Sequence, residues 1–199
     1  MRSGATTKVT SSKLETFDLL SPRENKNIAL TGFMASGKSA AGRRLARRLG
    51  KRFVDLDALI EKRERMKIHE IFEAKGEPYF RAVEKQLLKE VLKSDGQVIA
   101  TGGGAVLDTD SLRLLKKRSL LICLTAAPEV LLARANSGQA RPLLEGGDRM
   151  KRIEELLRLR KQAYDQAHLC IDTTTLSAAA VVDKIDELLR TNSKHLWKR

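Results

Sequence analysis

Aromatic side chains are scarce, one Trp, two Tyr and five Phe in 199 residues, so a single-stranded nucleic acid would find few rings to stack on. Only two cysteines occur, Cys123 and Cys170, each inside an apolar strand-like segment and neither in a Cys-x-x-Cys pair. That excludes a disulfide framework and predicts reduced core thiols. The three histidines, His69, His168 and His195, are too scattered to supply a zinc site. The longest apolar run, Leu120 to Ala127, is interrupted by Thr125 and stopped by Pro128, far short of the roughly 20 residues that span a bilayer. The polar N-terminus lacks the apolar stretch of a secretory leader, so the expected location is the cytoplasm, with no membrane partner.

Acidic residues are the scarcer charge. Against 25 Asp and Glu stand 38 Lys and Arg, a net charge of +13, which favours anionic partners without choosing among phosphates, carboxylates and nucleic acid. The densest basic cluster is Arg43, Arg44, Arg47 and Arg48, opposite the apolar face made by Gly42, Leu45, Ala46 and Leu49. That pattern reads as a solvated helix face, with a nucleic-acid footprint as the other reading.

The length suits one α/β domain with tails. Residues 1–25 lack periodicity and are rich in Ser, Thr and Lys, which predicts a mobile N-terminal tail. From residue 26 to about 190 short β-branched or Leu-rich runs alternate with helical periods, the pattern of a covered parallel sheet, and residues 191–199 read as a C-terminal tail. Strands are expected at Ile28–Leu30, Phe53–Asp55, Val98–Thr101, Leu120–Thr125 and Leu169–Asp172. Among the helices are Lys38–Leu49, Ala58–Arg65, Ile68–Ala74, Tyr79–Lys93, Met150–Tyr164 and Ala178–Leu189. The Gly- and Pro-containing stretch at about 136–148 reads as a loop able to open and close.

Gly32-Phe33-Met34-Ala35-Ser36-Gly37-Lys38-Ser39 satisfies G-x-x-x-x-G-K-[ST] between a strand and an amphipathic helix. Such a loop aims backbone N–H groups at phosphate oxygens, with a helix N-terminus behind them. Lys38 would reach the β and γ phosphates, and the Ser39 hydroxyl would meet Mg²⁺. The Asn-Lys-x-Asp signature of guanine-specific GTPases is absent, which leaves a small-molecule kinase as the simpler class.

Asp55-Leu56-Asp57 closes the second strand, and in extended chain both carboxylates would face the same side, at the carboxyl edge where open α/β sheets bind ligands. Either carboxylate could instead cap the helix starting at Ala58. Arg81 and Arg160 could fork onto a carboxylate or lie on the surface. Thr101-Gly102-Gly103-Gly104 could press main chain against a small polyol or simply turn the chain. Arg141, in the flexible stretch, is either a solvated loop residue or a cation that a closing lid brings to the γ phosphate.

Together these segments, with Phe80-Arg81, Arg141-Pro142-Leu143-Leu144 and Arg160-x-x-x-Tyr164, resemble the shikimate kinases over about residues 27–189, in family order. The resemblance implies a three-layer α/β/α P-loop kinase fold with a five-stranded parallel sheet of order 2-3-1-4-5. It also implies ATP-dependent phosphorylation of the 3-hydroxyl of shikimate, giving shikimate 3-phosphate and ADP on the route to chorismate and the aromatic amino acids. By the same resemblance Asp57 binds the substrate hydroxyls and serves as general base. Asp55 and Ser39 hold Mg²⁺, Asp55 through water. Arg81 and Arg160 clamp the substrate carboxylate, and Gly103 and Gly104 contact a hydroxyl. Gly32, Ala35, Ser36, Gly37, Lys38, Ser39 and Ala40 surround the ATP phosphates, Lys38 and Arg141 neutralise the transferring phosphoryl, and Arg134 lies against adenine. A monomer with no nucleic-acid partner is expected. The chain departs from the family pattern at Ala35, where Gly is usual, and at Ala40, where Thr is usual. A kinase of gluconate or of a nucleoside monophosphate is the alternative on the same scaffold.

Overall fold

The computed structural model describes residues 26–136, 143 and 147–195, with side chains through residue 191. The expected mobile tail at 1–25, most of the expected lid at about 136–148 and Arg141 within it lie outside the described residues.

Five apolar segments pair in parallel: β1 (Asn27–Thr31), β2 (Arg52–Asp55), β3 (Gln97–Ala100), β4 (Ser119–Thr125) and β5 (Leu169–Asp172), in the order β2-β3-β1-β4-β5. Parallel strands need crossovers and therefore a helical cover on both faces, so the central strands carry no polar face. All five residues of β1 are buried. Alternation along the strands divides their side chains between two cores. Ile28, Leu30, Val98, Leu120, Ile122 and Leu124 meet α1 (Lys38–Leu49) and α7 (Ala178–His195) on one face. Ala29, Val54, Ile99, Leu121 and Cys123 meet the other core. That core is closed by α2 (Leu56–Glu64), α3 (Ile68–Val91), α4 (Thr109–Arg118), α5 (Pro128–Asn136) and α6 (Arg149–Tyr164). Each fully buried Leu or Ile there contributes about 1.5–3 kcal/mol.

Two contacts place the site-bearing elements. Helix α1 lies close on the sheet because Gly42 has no side chain: a Cβ there would sit 2.6 Å from the Phe53 ring. Helix α3 breaks at Gly76, whose φ of 79° and ψ of 167° are open to glycine, and Pro78 opens the second half. The two helices expected on either side of Gly76 are therefore present, joined at a kink that directs Phe80, Arg81 and Glu84 toward the sheet edge.

Two expectations need correction, and one element was not expected. Asp57 is not on the strand: β2 ends at Asp55, and Asp57 lies in the first turn of α2, because Asp55 accepts from the Ala58 amide at 3.4 Å and starts the helix. The Gly-rich segment after β3 runs into a 3₁₀ turn at Ala105–Leu107 that apolar periodicity did not signal, since the turn is too short to show one. Helix α7 continues to His195, so residues 191–195 of the expected C-terminal tail are helical. Nothing in Thr191–His195 breaks a helix, and the run of helix formers before it propagates through them.

Candidate active site

The phosphate loop follows β1 and leads into α1. It closes on itself through Ser36 N–H to the Phe33 carbonyl at 3.2 Å, and Gly37, at φ 95°, begins the helix. The first turn of α1 carries no acidic residue, so its free N–H groups and dipole face an anion unopposed. Lys38 curls over the loop and donates from Nζ to the carbonyls of Gly32 and Phe33, both at 2.9 Å. Ser36 Oγ is buried with no hydrogen-bond partner among the described residues. Ala35 sits at φ 61°, in the left-handed region, so the loop keeps a glycine-like turn with an alanine in it. Ser39 is half-buried at the start of α1, and Ala40 is exposed.

Beside the loop lies a cleft of ≈ 270 Å³. Asp57 from α2, Arg81 and Glu84 from α3, Gly103 and Gly104 after β3, and Arg160 from α6 all line it. At these glycines the missing side chain permits close approach rather than an unusual torsion. A Cβ on Gly102 would fall 2.1 Å from Glu84 Oε1 and 3.1 Å from Asp57 Oδ1; one on Gly104 would fall 2.5 Å from Arg81 Nη1. A Cβ on Gly103 would come within 3.2 Å of the Gly32 carbonyl and 3.4 Å of the Met34 amide, so the floor of the cleft abuts the phosphate loop. The turn and the contact readings of these glycines therefore both hold: they bend the chain and let three charged side chains reach one ledge.

Charge in the cleft is arranged in pairs. Arg81 donates from Nη1 to Glu84 at 2.8 Å and from Nη2 to Glu77 at 2.9 Å. Burial works against its charge, yet the two carboxylates hold its pKa above the ordinary value. Glu84 is 3% exposed, and burial pushes its carboxyl up, with Asp57 adding to the rise while Arg81 and Arg160 oppose it. Arg160 is 4% exposed and stacks over the Phe33 ring at 5.6 Å, which couples the cleft to the phosphate loop. Tyr164, one turn further along α6, donates to the Gly103 carbonyl at 2.7 Å, and burial pushes its hydroxyl up to about 12, so it stays a neutral donor.

Of the residues expected from the sequence, Asp57, Arg81, Gly103, Gly104 and Arg160 converge, with Gly32, Ser36, Gly37 and Lys38 beside them. Asp55 sits at the strand-to-helix junction of β2 and α2. Arg134, on α5, is tied to Thr173 in the loop after β5 by bonds of 3.2 Å to its hydroxyl and 2.8 Å to its carbonyl. Glu84 and Thr173 were not anticipated. The signal for Glu84 was available, since it stands three residues after Arg81 and so shares its helix face; nothing local marks Thr173. The basic face of α1 is exposed as expected, with Arg43 over Phe53 and Arg48 paired to Asp183.

Comparison with known proteins agrees with this geometry. The family model described as shikimate kinase matches residues 34–190. A shikimate kinase of Geobacter sulfurreducens is 42% identical over 175 residues, covering 88% of this chain and 97% of the relative. One from Moorella thermoacetica is 44% identical over 164 residues, covering 82% and 94%. A solved structure, shikimate kinase from Acinetobacter baumannii in complex with shikimate, superposes with a TM-score of 0.82 at 35% identity, covering 85% of this chain and 95% of that one. The phosphate loop, the sheet order and this likeness over most of the length lead to one conclusion: the chain belongs to the shikimate kinase family.

Proposed function

We propose how the residues of this cleft divide the work of the family reaction, ATP-dependent phosphorylation of the 3-hydroxyl of shikimate to shikimate 3-phosphate and ADP. Arg81 and Arg160 take the substrate carboxylate, each presenting a planar fork that matches two carboxylate oxygens. The ring then lies along the Gly103–Gly104 ledge with a hydroxyl toward Asp57. Because an alcohol is a weak acid, Asp57 accepts the hydroxyl proton as the oxygen–phosphorus bond forms rather than before it. The amides of Gly32 to Ala40 and the Lys38 ammonium hold the phosphates, and Lys38 leaves the Gly32 and Phe33 carbonyls for phosphate oxygens. Arg141 serves the transferring phosphoryl, and Arg134 packs against the base.

The donor set fits Mg²⁺, which keeps most of its waters and takes few protein oxygens. The half-buried Ser39 hydroxyl and the Asp55 carboxylate, at the end of β2, are hard oxygen donors of that kind. When bound, the ion would neutralise charge on the β and γ phosphates. We place the reaction in a cytoplasmic monomer; no helix among the described residues is long and apolar enough to cross a membrane.

One observation carries the assignment: two arginines from distant helices share a cleft with Asp57, and its floor touches the phosphate loop. A kinase of uncharged polyols has no use for both. The deciding experiment measures ADP release with ATP and Mg²⁺ over shikimate, gluconate and nucleoside monophosphates. Release with shikimate alone is expected, and none with its uncharged methyl ester; equal release with the ester would overturn the carboxylate clamp, and equal release with gluconate would overturn shikimate as the preferred acceptor.

A further inference from the structure

Thr173 is 1% exposed and follows β5 directly, at the carboxyl edge of the sheet. Its amide and its hydroxyl both donate to the Thr125 carbonyl at the end of β4, at 2.8 and 2.9 Å. The same Oγ1 lies 3.3 Å from the Ser36 carbonyl in the phosphate loop and accepts from Arg134 Nη1 at 3.2 Å, while the Thr173 carbonyl accepts from Nη2 at 2.8 Å. A hydroxyl has one proton to give, and the shorter contact assigns it to Thr125, which leaves the oxygen lone pairs for Arg134. One buried side chain thus bonds the end of β4 to α5, with its oxygen lying against the Ser36 carbonyl of the phosphate loop without a bond to it. The backbone amide of Thr173 already ties the β5 end to the Thr125 carbonyl, so the contact that only the hydroxyl oxygen supplies is the one it accepts from Arg134.

We propose that Thr173 is a positioning residue for the nucleotide, holding the Arg134 guanidinium at the carboxyl end of β4, beside the phosphate loop, in the orientation that receives the base of ATP. This rests on the reading of Arg134 as the side chain against the base. A guanidinium is suited to the task because its two outer nitrogens engage the hydroxyl and the carbonyl at once, which fixes the plane of the group.

The test compares Thr173→Val, Thr173→Ser, Arg134→Lys and Arg134→Ala in steady-state kinetics against both substrates, with thermal midpoints alongside. Valine keeps the shape and removes the oxygen. It is expected to raise KM for ATP about tenfold, the value of one charge-assisted hydrogen bond, with kcat and KM for shikimate within about twofold. Serine, which keeps the hydroxyl, restores KM for ATP. Arg134→Lys, which keeps the charge but not the two-pronged anchor, raises KM for ATP without touching the core, so it reports even if the valine variant unfolds. An unchanged KM for ATP in folded Thr173→Val, or in Arg134→Lys where the valine variant does not fold, with a raised one in Arg134→Ala, overturns the positioning role alone. An unchanged KM for ATP in Arg134→Ala overturns the reading of Arg134 and the proposal with it.

Discussion

Glu84 accepts from Arg81 at 2.8 Å through Oε2, while its other oxygen, Oε1, is buried with no hydrogen-bond partner among the described residues. A half-satisfied buried carboxylate is costly, and this one persists because it faces the same cleft as the guanidinium it holds. Arg81 is bracketed between Glu77 and Glu84 on its own helix, so its fork is aimed before any substrate arrives. Holding the cation in advance removes ordering cost from binding.

Glu84→Gln keeps the shape and discards the charge that fixes Arg81. KM for shikimate is expected to rise about tenfold with KM for ATP unchanged, since a hydrogen bond to a charged group contributes roughly 1.5–3 kcal/mol. Equal KM values in variant and wild type would show that Glu77 alone aims the arginine.

The raised pKa of Glu84 also predicts a pH signature. The folded state holds this proton more tightly than the unfolded chain does, so wild-type stability relative to Glu84→Gln is greatest below the ordinary value of 4.5. The difference declines as pH rises from there through the elevated folded value and is flat above it. Urea midpoints of the two proteins across that range measure it; a difference that grows with pH contradicts the assignment.

Gly104→Ala places a methyl where Arg81 Nη1 now lies, 2.5 Å from the ideal Cβ position. The end of a flexible side chain can move, so the fold survives, but Arg81 leaves its aim. The expected result is a rise in KM for shikimate of about tenfold or more, corresponding to the roughly 1–3 kcal/mol of an overpacked contact, with ATP affinity retained. Isothermal titration with each ligand separates the two.

Ala35→Gly should stabilise the protein. An L-residue at φ 61° costs roughly 1–2 kcal/mol, which glycine avoids, while the freer unfolded chain returns about 0.4–1 kcal/mol of that. The net gain should lift the thermal midpoint by about 2–4 °C in a chain of this size. A lower midpoint would mean that neighbouring contacts relieve the strain at Ala35.

Asp57→Asn removes the proton acceptor with little change in shape. A drop in kcat of about 10²–10⁴ is expected with ATP binding intact, the usual worth of a positioned general base. Turnover near wild type would reassign the proton to water.

The fold was legible because its signals are local and repeated. Strand positions agree within a residue or two, since buried parallel strands read as short apolar runs, and α1 begins and ends where expected. Of the two readings of the carboxylate pair the capping one holds for Asp55, and capping ends the strand two residues before Asp57. Glu84 was missed because a glutamate three residues after an arginine on a helix is ordinarily a solvated ion pair. This one is buried, with the glycine ledge packed against it.

By itself the sequence determined the phosphate loop, the strand-and-helix alternation and the identity of the arginines, because those are properties of contiguous residues. Tertiary structure decided what those residues face. Arg81 and Arg160 lie on helices far apart in the chain, and only sheet order and close glycine packing bring them into one cleft with Asp57. The link from Arg134 through Thr173 to Thr125 likewise joins positions separated by 39 and 48 residues. Burial and charge pairing depend on what lies across space, and no local pattern records that.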